Sequence, residues 1–207
     1  MTALSAARVD ALSAAAEDYA GRLSPDLLAR LAVRPEGERR RSLGAALLLE
    51  RAAARHLPQL PHPLERAEGK WGKPYLPDAP GFHFSLSHAG DWAVCAVSDV
   101  PVGVDLERER RLHPRLTARF APEEREMLAV LTQREALRAA FRLWTCKEAY
   151  TKCTGRGLLC PFSSFLAERP APGYAVQILP FPGEGYHLAL CLQAPACPPT
   201  PVELVAL

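Results

Sequence analysis

Alternating apolar and polar positions predict a short strand in the middle of the chain. In PVGVDLE (residues 101–107), the valines and the leucine alternate with Gly103, Asp105 and Glu107, which is the two-residue period of a strand. Side chains two positions apart leave the same face of a strand, so Asp105 and Glu107 should lie side by side. Like charges that close repel each other unless a cation, a proton or water relieves them.

A helical period follows in FRLWTCKEAYTK (residues 141–152). Trp144, Glu148 and Lys152 are spaced four apart there and would therefore share one helix face. Together with Asp105 and Glu107 they would be able to form one site for a hard divalent cation and an anionic substrate.

Along the whole chain, helical patterns are followed by strand patterns, and this order occurs twice. Helical periods are predicted near residues 4–20, 25–33, 36–57 and 114–154, the last one broken near Ala121–Pro122 and near Thr132. Strand patterns are predicted at 82–86, 92–98, 101–106, 174–179, 186–192 and 202–206. Helices followed by strands, twice over, predict an α+β protein with two similar halves, residues 1–100 and 101–207.

Composition excludes several classes of protein. With 48% apolar and 23% charged residues the 207-residue chain is globular rather than disordered, and its net charge of +2 gives no signal for nucleic acid or membrane. The longest apolar runs are shorter than the roughly 18–20 residues of a membrane span. Acidic residues at positions 10, 17 and 18 interrupt the alanine-rich start, which excludes a signal peptide, so we expect a cytoplasmic protein.

The six cysteines do not predict a metal site or a disulfide framework. None of them forms a CxxC pair, and no histidine pair has zinc-finger spacing. We interpret them as buried thiols in a reducing compartment.

The acidic positions also have ordinary structural interpretations. Asp105 and Glu107 would equally suit a solvated strand face, or ion pairs with the arginines at 108, 110 and 111. Glu148 and Lys152 would equally suit a helix ion pair, which contributes only ~0.3–0.5 kcal/mol. Against that interpretation, the surrounding helix is apolar, so its charged residues need partners or a site.

The strand end SLSHAG (residues 85–90) brings a serine next to a histidine. Ser87 and His88 would point to opposite faces, which disfavours a nucleophile and base pair. Phosphate or base contacts, or a capped turn, suit them better.

Four segments in this order resemble the 4'-phosphopantetheinyl transferases, in particular the larger, monomeric Sfp-type branch. They are WGKPYL, FSLSHAGDWAVCAV, VGVDLE and FRLWTCKEAYTKCTGRGL, and they lie between residues 71 and 158. A weaker similarity lies at Arg41-Ser42-Leu43. The tryptophan segment resembles the subgroup that serves nonribosomal peptide, polyketide or fatty acid biosynthesis.

The resemblance implies two similar α+β halves about a pseudo-twofold axis, with coenzyme A bound at their interface. It also implies Mg²⁺-dependent transfer of phosphopantetheine from coenzyme A to a serine of an acyl or peptidyl carrier protein, releasing adenosine 3',5'-bisphosphate. Mn²⁺ would be an alternative metal.

The resemblance further assigns roles to individual residues. It implies that Asp105, Glu107 and Glu148 hold the metal, and that Glu148 and Lys152 are catalytic. The implied coenzyme A contacts are Lys152, Lys73, Ser87, His88, Arg41 and Ser42.

Two parts of the implied site have no sharp motif. Arg30, Arg34 and Arg39 are candidates for the 3'-phosphate of coenzyme A. The carrier protein is expected to dock on apolar residues near 112–131.

Two other classes of function remain. A magnesium-dependent nuclease would need a lysine beside the acidic pair on one strand and a basic surface. A non-catalytic binding module that kept the fold would be expected to lack an acidic ligand or Lys152.

Overall fold

A computed structural model describes residues 1–111 and 113–207 and has the predicted α+β character. The strands are β1 (Thr2–Arg8), β2 (Ala67–Glu68), β3 (Pro74–Tyr75), β4 (His83–Ala89), β5 (Trp92–Ser98), β6 (Val102–Arg108), β7 (Ala175–Leu179), β8 (Tyr186–Leu192) and β9 (Val202–Leu204). The helices are α1 (Pro25–Ala32), α2 (Glu36–His56), α3 (Pro114–Thr117), α4 (Pro122–Ala129) and α5 (Gln133–Thr154).

The first sheet has four strands in the order β4-β5-β1-β9. β1 pairs antiparallel with β5 along its whole length, and on its other side it pairs parallel with β9. α2 packs on this sheet through Leu48 and Leu49, which are fully buried against Phe84 and its neighbours. The last strand of the chain therefore completes the sheet that the first strand begins.

The predicted helix near residues 4–20 is wrong. Residues 2–8 form the inner strand β1, and only a short 3-10 turn at Ala16–Tyr19 follows it. Alanine favours a helix by intrinsic propensity. Ala6 and Ala7 are instead buried within the sheet, where pairing on both sides of β1 outweighs the local preference.

The second sheet has three antiparallel strands in the order β6-β8-β7, and α5 covers it. Gly103 of β6 lies against the backbone of α5. A Cβ at this position would lie 2.0 Å from the Ala149 carbonyl oxygen and 2.4 Å from the Cys153 amide nitrogen. Only glycine therefore allows β6 and α5 to approach this closely.

Serine hydroxyls join the edges of the two sheets. β4 and β6 are edge strands, and they lie next to each other without a backbone ladder between them. Ser85 Oγ accepts a hydrogen bond from the Val104 amide at 3.0 Å, and Ser87 Oγ accepts one from the Leu106 amide at 3.2 Å. The two-residue spacing of these serines matches the strand period, so both hydroxyls face β6.

The other predicted elements are confirmed. α1 and α2 each end one residue earlier than predicted, and β4 to β9 correspond to the six predicted strands. The predicted breaks mark the starts of α4 and α5, where the Thr132 amide donates to Glu135 Oε2 at 3.0 Å in a capping box. α5 ends at Gly155, whose φ of 68° is left-handed. The pattern does not predict the two-residue strands β2 and β3.

All six cysteines are free thiols. Four are buried and two, Cys160 and Cys197, are half-buried. The described part of the chain contains no helix with both the length and the apolar character needed to cross a bilayer. The division into residues 1–100 and 101–207 stays a prediction.

Candidate active site

The two predicted acidic elements meet in the structure. β6 presents Asp105 and Glu107 to α5, where Lys152 Nζ lies 2.6 Å from Asp105 Oδ1 and Trp144 Nε1 donates to Glu107 Oε1 at 3.1 Å. The close packing at Gly103 holds these two elements together. The structure therefore brings the strand and the helix together, and the role of these residues as one site stays a prediction.

Asp105 is the centre of this cluster. Its carboxylate is almost fully buried, at 4% relative exposure for the residue. Oδ1 receives Lys152 Nζ and also the Ser87 hydroxyl, which donates at 2.9 Å. Oδ2 is buried and has no hydrogen-bond partner among the described residues. A buried carboxylate oxygen without a partner costs free energy in the absence of a ligand.

Both carboxylate oxygens of Glu107 have hydrogen-bond partners. Oε1 accepts from Trp144, and Oε2 accepts from Arg110 at 2.8 Å. The ion pair with Arg110 is one of those expected under the ordinary structural interpretation. Burial, and secondly the charge of Asp105, nevertheless raise the pKa of Glu107. These two effects together outweigh the opposite effect of Arg110, which lowers the pKa.

Glu148 lies on the same face of α5 as Trp144, one helical turn before it, and Lys152, one turn after it. Burial raises its pKa to about 7, and the nearby charges of Asp105 and Glu107 contribute in the same direction. Lys152 opposes the shift. The charge of Asp105 thus raises the pKa of both Glu107 and Glu148, and a divalent cation would relieve such repulsion between carboxylates.

The acidic set fits a hard cation without being a preformed cage. Among the described residues no three histidine, cysteine or acidic side chains converge tightly enough to enclose an ion. Carboxylate oxygens are the ligands that Mg²⁺ prefers, and Mg²⁺ keeps several positions for water and phosphate. The unpartnered Asp105 Oδ2 and the raised pKa of Glu148 are compatible with such an open site.

A row of cavities runs along this cluster. A cavity of about 270 Å³ is lined by Trp71, Lys73, Glu148 and Lys152, together with the glycines after α5. A second cavity of about 400 Å³ begins at Lys152 and Asp105. A third shares His88 and Glu107 with the second. Because they share lining residues, the three cavities adjoin one another, and we call them together the groove.

Lys73 lies at the groove but is strongly engaged by the protein. Its Nζ donates to the carbonyl oxygens of Val102 at 2.9 Å and Cys153 at 3.1 Å. Burial lowers the pKa of Lys73. It therefore ties the GKPY turn to β6 and α5, and a role in ligand binding stays a prediction.

Ser87 and His88 point to different partners. The Ser87 hydroxyl contacts Asp105 and Lys152, whereas His88 Nε2 lies 3.4 Å from Ser42 Oγ. Burial, and secondly the charge of Arg41, lower the pKa of His88. The separation agrees with the sequence argument against a nucleophile and base pair.

The structure brings Arg41 and Ser42 to the same groove. Ser42 lines the second cavity, and Arg41 lines the third. Of the other arginine candidates, Arg34 also lines the second cavity. Arg34 is paired with Glu38, Arg30 with Glu68, and Arg39 donates to the Ala32 carbonyl.

Two cations with buried nitrogen atoms lie outside the set of predicted site residues. Lys147 is completely buried, and its Nζ lies 2.9 Å from Glu124 Oε2 while it also donates to the carbonyls of Phe162 and Phe165. These partners agree with the expectation that a charged residue on this apolar helix needs a partner or a site. Arg66 lines the second cavity, and its polar segment LERAEGK gives no signal in the sequence.

Comparison with known proteins agrees with the geometry. Residues 101–192 match the family model of the 4'-phosphopantetheinyl transferase superfamily. The chain is 31% identical over 167 residues to the 4'-phosphopantetheinyl transferase of Bacillus subtilis, covering 75% of each chain. It is 37% identical over 138 residues to 4'-phosphopantetheinyl transferase psf-1 of Bacillus pumilus, covering 60% of this chain and 59% of the relative. It is 38% identical over 152 residues to 4'-phosphopantetheinyl transferase HetI of Nostoc sp., covering 69% and 63%.

This chain belongs to the 4'-phosphopantetheinyl transferase superfamily. The matches span between 59% and 75% of the length of the three relatives named above.

Proposed function

We propose that this chain transfers the 4'-phosphopantetheine arm of coenzyme A to a serine of an apo acyl or peptidyl carrier protein. The reaction would depend on Mg²⁺, with Mn²⁺ as an alternative, and would release adenosine 3',5'-bisphosphate. The observation that supports it best is the buried, unpartnered Oδ2 of Asp105 in a groove shared with Glu148 and Lys152. Carboxylate oxygens that can bind a metal ion here lie beside the positively charged Lys152. A reaction at a pyrophosphate requires both kinds of group.

The transfer is a displacement at phosphorus. The carrier serine oxygen forms a bond to the phosphorus that bears the pantetheine arm, and the bond from that phosphorus to the bridging oxygen of the pyrophosphate breaks. In this proposal the serine proton passes to Glu148, the carboxylate that lines the groove together with Lys152. The departing phosphate of adenosine 3',5'-bisphosphate keeps the bridging oxygen and its electron pair.

The cations of the groove have separate tasks in this proposal. Lys152, held by Asp105 at 2.6 Å, stabilises the negative charge that develops on the leaving phosphate. Mg²⁺, held by Asp105, Glu107 and Glu148, would neutralise the pyrophosphate oxygens. Lys152 is 31% exposed in its side chain, so a ligand in the groove can reach it.

Coenzyme A would occupy the groove. Arg41, Ser42 and His88 line its far part, and Lys73 lines the part beside Glu148. We assign these residues to coenzyme A contacts. Ser87 would act through the Lys152–Asp105 pair that it contacts.

Two similar halves would place the groove at their interface. The first half runs from β1 through α2 to the hairpin β4–β5, and its strand order is β4-β5-β1. The second half runs from β6 through α5 to the hairpin β7–β8, and its strand order is β7-β8-β6. The matching order supports a pseudo-twofold relation between residues 1–100 and 101–207, with β9 as an addition.

The carrier protein would dock beside α4. Met127 and Val130 are large apolar residues that α4 and its end leave exposed, and carrier recognition through an apolar stripe would use them. Residue 112, at the start of the expected surface, lies outside the described residues. A monomer in the cytoplasm, without nucleic acid or membrane, completes the proposal.

The test is a transfer assay read by intact mass. Purified protein is incubated with coenzyme A, Mg²⁺ and apo carrier proteins of the fatty acid, polyketide and peptide types. We expect at least one carrier to gain the mass of one phosphopantetheine, and chelation of Mg²⁺ to prevent the gain. The matched control is the same carrier with its acceptor serine replaced by alanine. The proposal is contradicted if no carrier gains this mass.

A further inference from the structure

Two cysteine side chains meet beneath the last turn of α5. Cys191 of β8 is the register partner of Gly103 in β6, and directly paired residues of an antiparallel sheet share one face. That face is the one that α5 covers, because a Cβ at Gly103 would lie 3.0 Å from the Cα of Cys153. Cys153 therefore packs onto Gly103, and the side chain of Cys191 approaches it from the neighbouring strand.

The two thiols are in direct contact. The Cys191 thiol donates a hydrogen bond to the sulfur of Cys153. Both residues are buried in the same apolar cluster, at 0% and 2% relative exposure. Directly paired Cα atoms of an antiparallel sheet are about 4.5–5.5 Å apart, and a disulfide joins Cα atoms about 4.4–6.8 Å apart. The spacing of the elements at Gly103 is therefore of the order that a disulfide spans.

The surroundings make Cys153 the more reactive of the two thiols. Cys153 lines a cavity of about 370 Å³ together with Lys73 and Thr154, so a small oxidant can approach it from there. The hydrogen bond from Cys191, and with it the charge of Lys73, lower the pKa of Cys153 against the effect of burial. The same hydrogen bond, and secondly burial, raise the pKa of Cys191. A thiolate is the nucleophilic form of cysteine, which gives Cys153 the attacking role.

A third thiol nearby is bonded elsewhere. Cys197 Sγ donates to the Ala175 carbonyl oxygen of β7 at 3.3 Å, whereas Cys153 Sγ donates to the Pro101 carbonyl oxygen at 3.1 Å. Within the described residues no three cysteine, histidine or acidic side chains converge on a common point for a metal ion. The geometry therefore favours chemistry between two thiols over metal binding.

We propose that Cys153 and Cys191 form a redox-active dithiol, which hydrogen peroxide oxidises to an internal disulfide and a thiol reductant restores. Disulfides of this kind in a reducing compartment are transient and respond to an oxidant. The site needs neither coenzyme A nor a carrier protein, so it is independent of the proposed transfer. The disulfide would join α5 to β8 one residue after Lys152.

The oxidation proceeds in two steps. Cys153 Sγ forms a bond to one peroxide oxygen while the O–O bond breaks, and the departing hydroxide takes up the Cys153 thiol proton and leaves as water. Cys153 is then a sulfenic acid, which condenses with a thiol. Cys191 Sγ bonds to the Cys153 sulfur while the S–O bond breaks, and the Cys191 proton leaves with the hydroxyl group as a second water. The two thiols together lose two electrons, which the peroxide gains.

The test counts free thiols in the folded protein by intact mass. Reduced protein is treated with hydrogen peroxide, then unfolded in urea with N-ethylmaleimide. We expect two fewer maleimide adducts than the six that the cysteines of untreated protein accept, and all six again after dithiothreitol. Peroxide should remove no adduct from Cys153→Ala or Cys191→Ala. Cys95→Ala, at a buried thiol of the first sheet, is the matched control and should still lose two.

Tryptic peptides of the oxidised wild type locate the bond without relying on a variant that folds. No lysine or arginine follows Arg169, so Cys191 and Cys197 stay in one peptide, and Cys197→Ala distinguishes them. The disulfide should persist in Cys197→Ala. Six adducts after peroxide, a disulfide that disappears in Cys197→Ala, or Cys153 oxidised to a sulfinic acid without a cross-link would each overturn the inference.

Discussion

Lys152 and Asp105 form an ion pair in which one carboxylate oxygen receives all the protein contacts. Lys152 Nζ lies 2.6 Å from Oδ1, and Ser87 donates to the same atom at 2.9 Å. Oδ2 is left without a partner among the described residues. Because Ser87 belongs to one sheet and Asp105 to the other, this pair joins the two sheets at the site and keeps one oxygen available.

Replacing Lys152 should remove transfer activity. Lys152→Met keeps the length of the side chain and removes the charge that would stabilise the leaving phosphate. We expect the transfer rate to fall by ~10²–10³-fold, the typical loss when one preorganised donor is removed. Initial rates on an accepted carrier protein measure this. Arg55→Met is the control, and a rate within a few-fold of the wild type for Lys152→Met would contradict the assigned role.

Because the pKa of Glu148 is raised in the folded state, we expect the free energy of unfolding of the metal-free protein to depend on pH. The folded state holds the Glu148 proton up to about pH 7, against an ordinary pKa of 4.5. Between these values the folded state binds more protons than the unfolded state, so stability falls as pH rises. Glu148→Gln has no carboxyl group at this position and therefore does not lose stability in this way. With chelator present, it should be more stable than the wild type above pH 7 and equally stable below pH 4.5.

Urea unfolding at several pH values measures that difference. Glu17→Gln, at an exposed position, is the control and should show no such trend. A Glu148→Gln difference that does not depend on pH would mean that Glu148 keeps its ordinary pKa in the fold.

Gly103 should be intolerant of any side chain. In Gly103→Ala the new Cβ would collide with the Ala149 carbonyl, so α5 must move away from β6. We expect the free energy of unfolding to fall by ~1–3 kcal/mol, as in other overpacked cores. Transfer should also slow, because Glu148 and Lys152 move with α5.

Gly81→Ala is the matched control for Gly103→Ala. A Cβ at Gly81 meets no described atom within 4 Å. This variant should keep wild-type stability and activity. Equal behaviour of the two variants in urea unfolding would show that the contact between β6 and α5 does not require glycine.

Lys147 should be a structural residue. Lys147→Ala would leave Glu124 buried without its cation, and breaking a buried pair costs ~3–5 kcal/mol. Urea unfolding should show this loss. Arg134→Ala, at an exposed position on the same helix, should change stability by less than ~0.5 kcal/mol. A small effect of Lys147→Ala would mean that Glu124 finds another partner.

The sequence predicts those parts of the site in which spacing determines the geometry. Asp105 and Glu107 follow the strand period, and Glu148 and Lys152 follow the helix period, so their common faces are predictable. The contact of β6 with α5 is long-range and depends on Gly103. The sequence patterns alone leave one shared site as one interpretation among others, and the resemblance is what favours it.

The wrong helix near residues 4–20 and the missed Arg66 have different physical causes. Ala6 and Ala7 are helix formers by local propensity, but partners distant in sequence on both sides make them a strand. Arg66 lies in a polar segment, where an arginine is ordinary. Its unusual property is the missing acceptor for its buried nitrogens, which only tertiary structure reveals.

The most direct test of the account compares Glu148→Gln with the wild type in the transfer assay. Intact mass of the apo carrier protein is followed with coenzyme A and Mg²⁺ under conditions in which Glu17→Gln is fully active. The account predicts that the wild type adds one phosphopantetheine to the carrier, whereas folded Glu148→Gln adds none over the same time. Undiminished transfer by Glu148→Gln would contradict the proposed site.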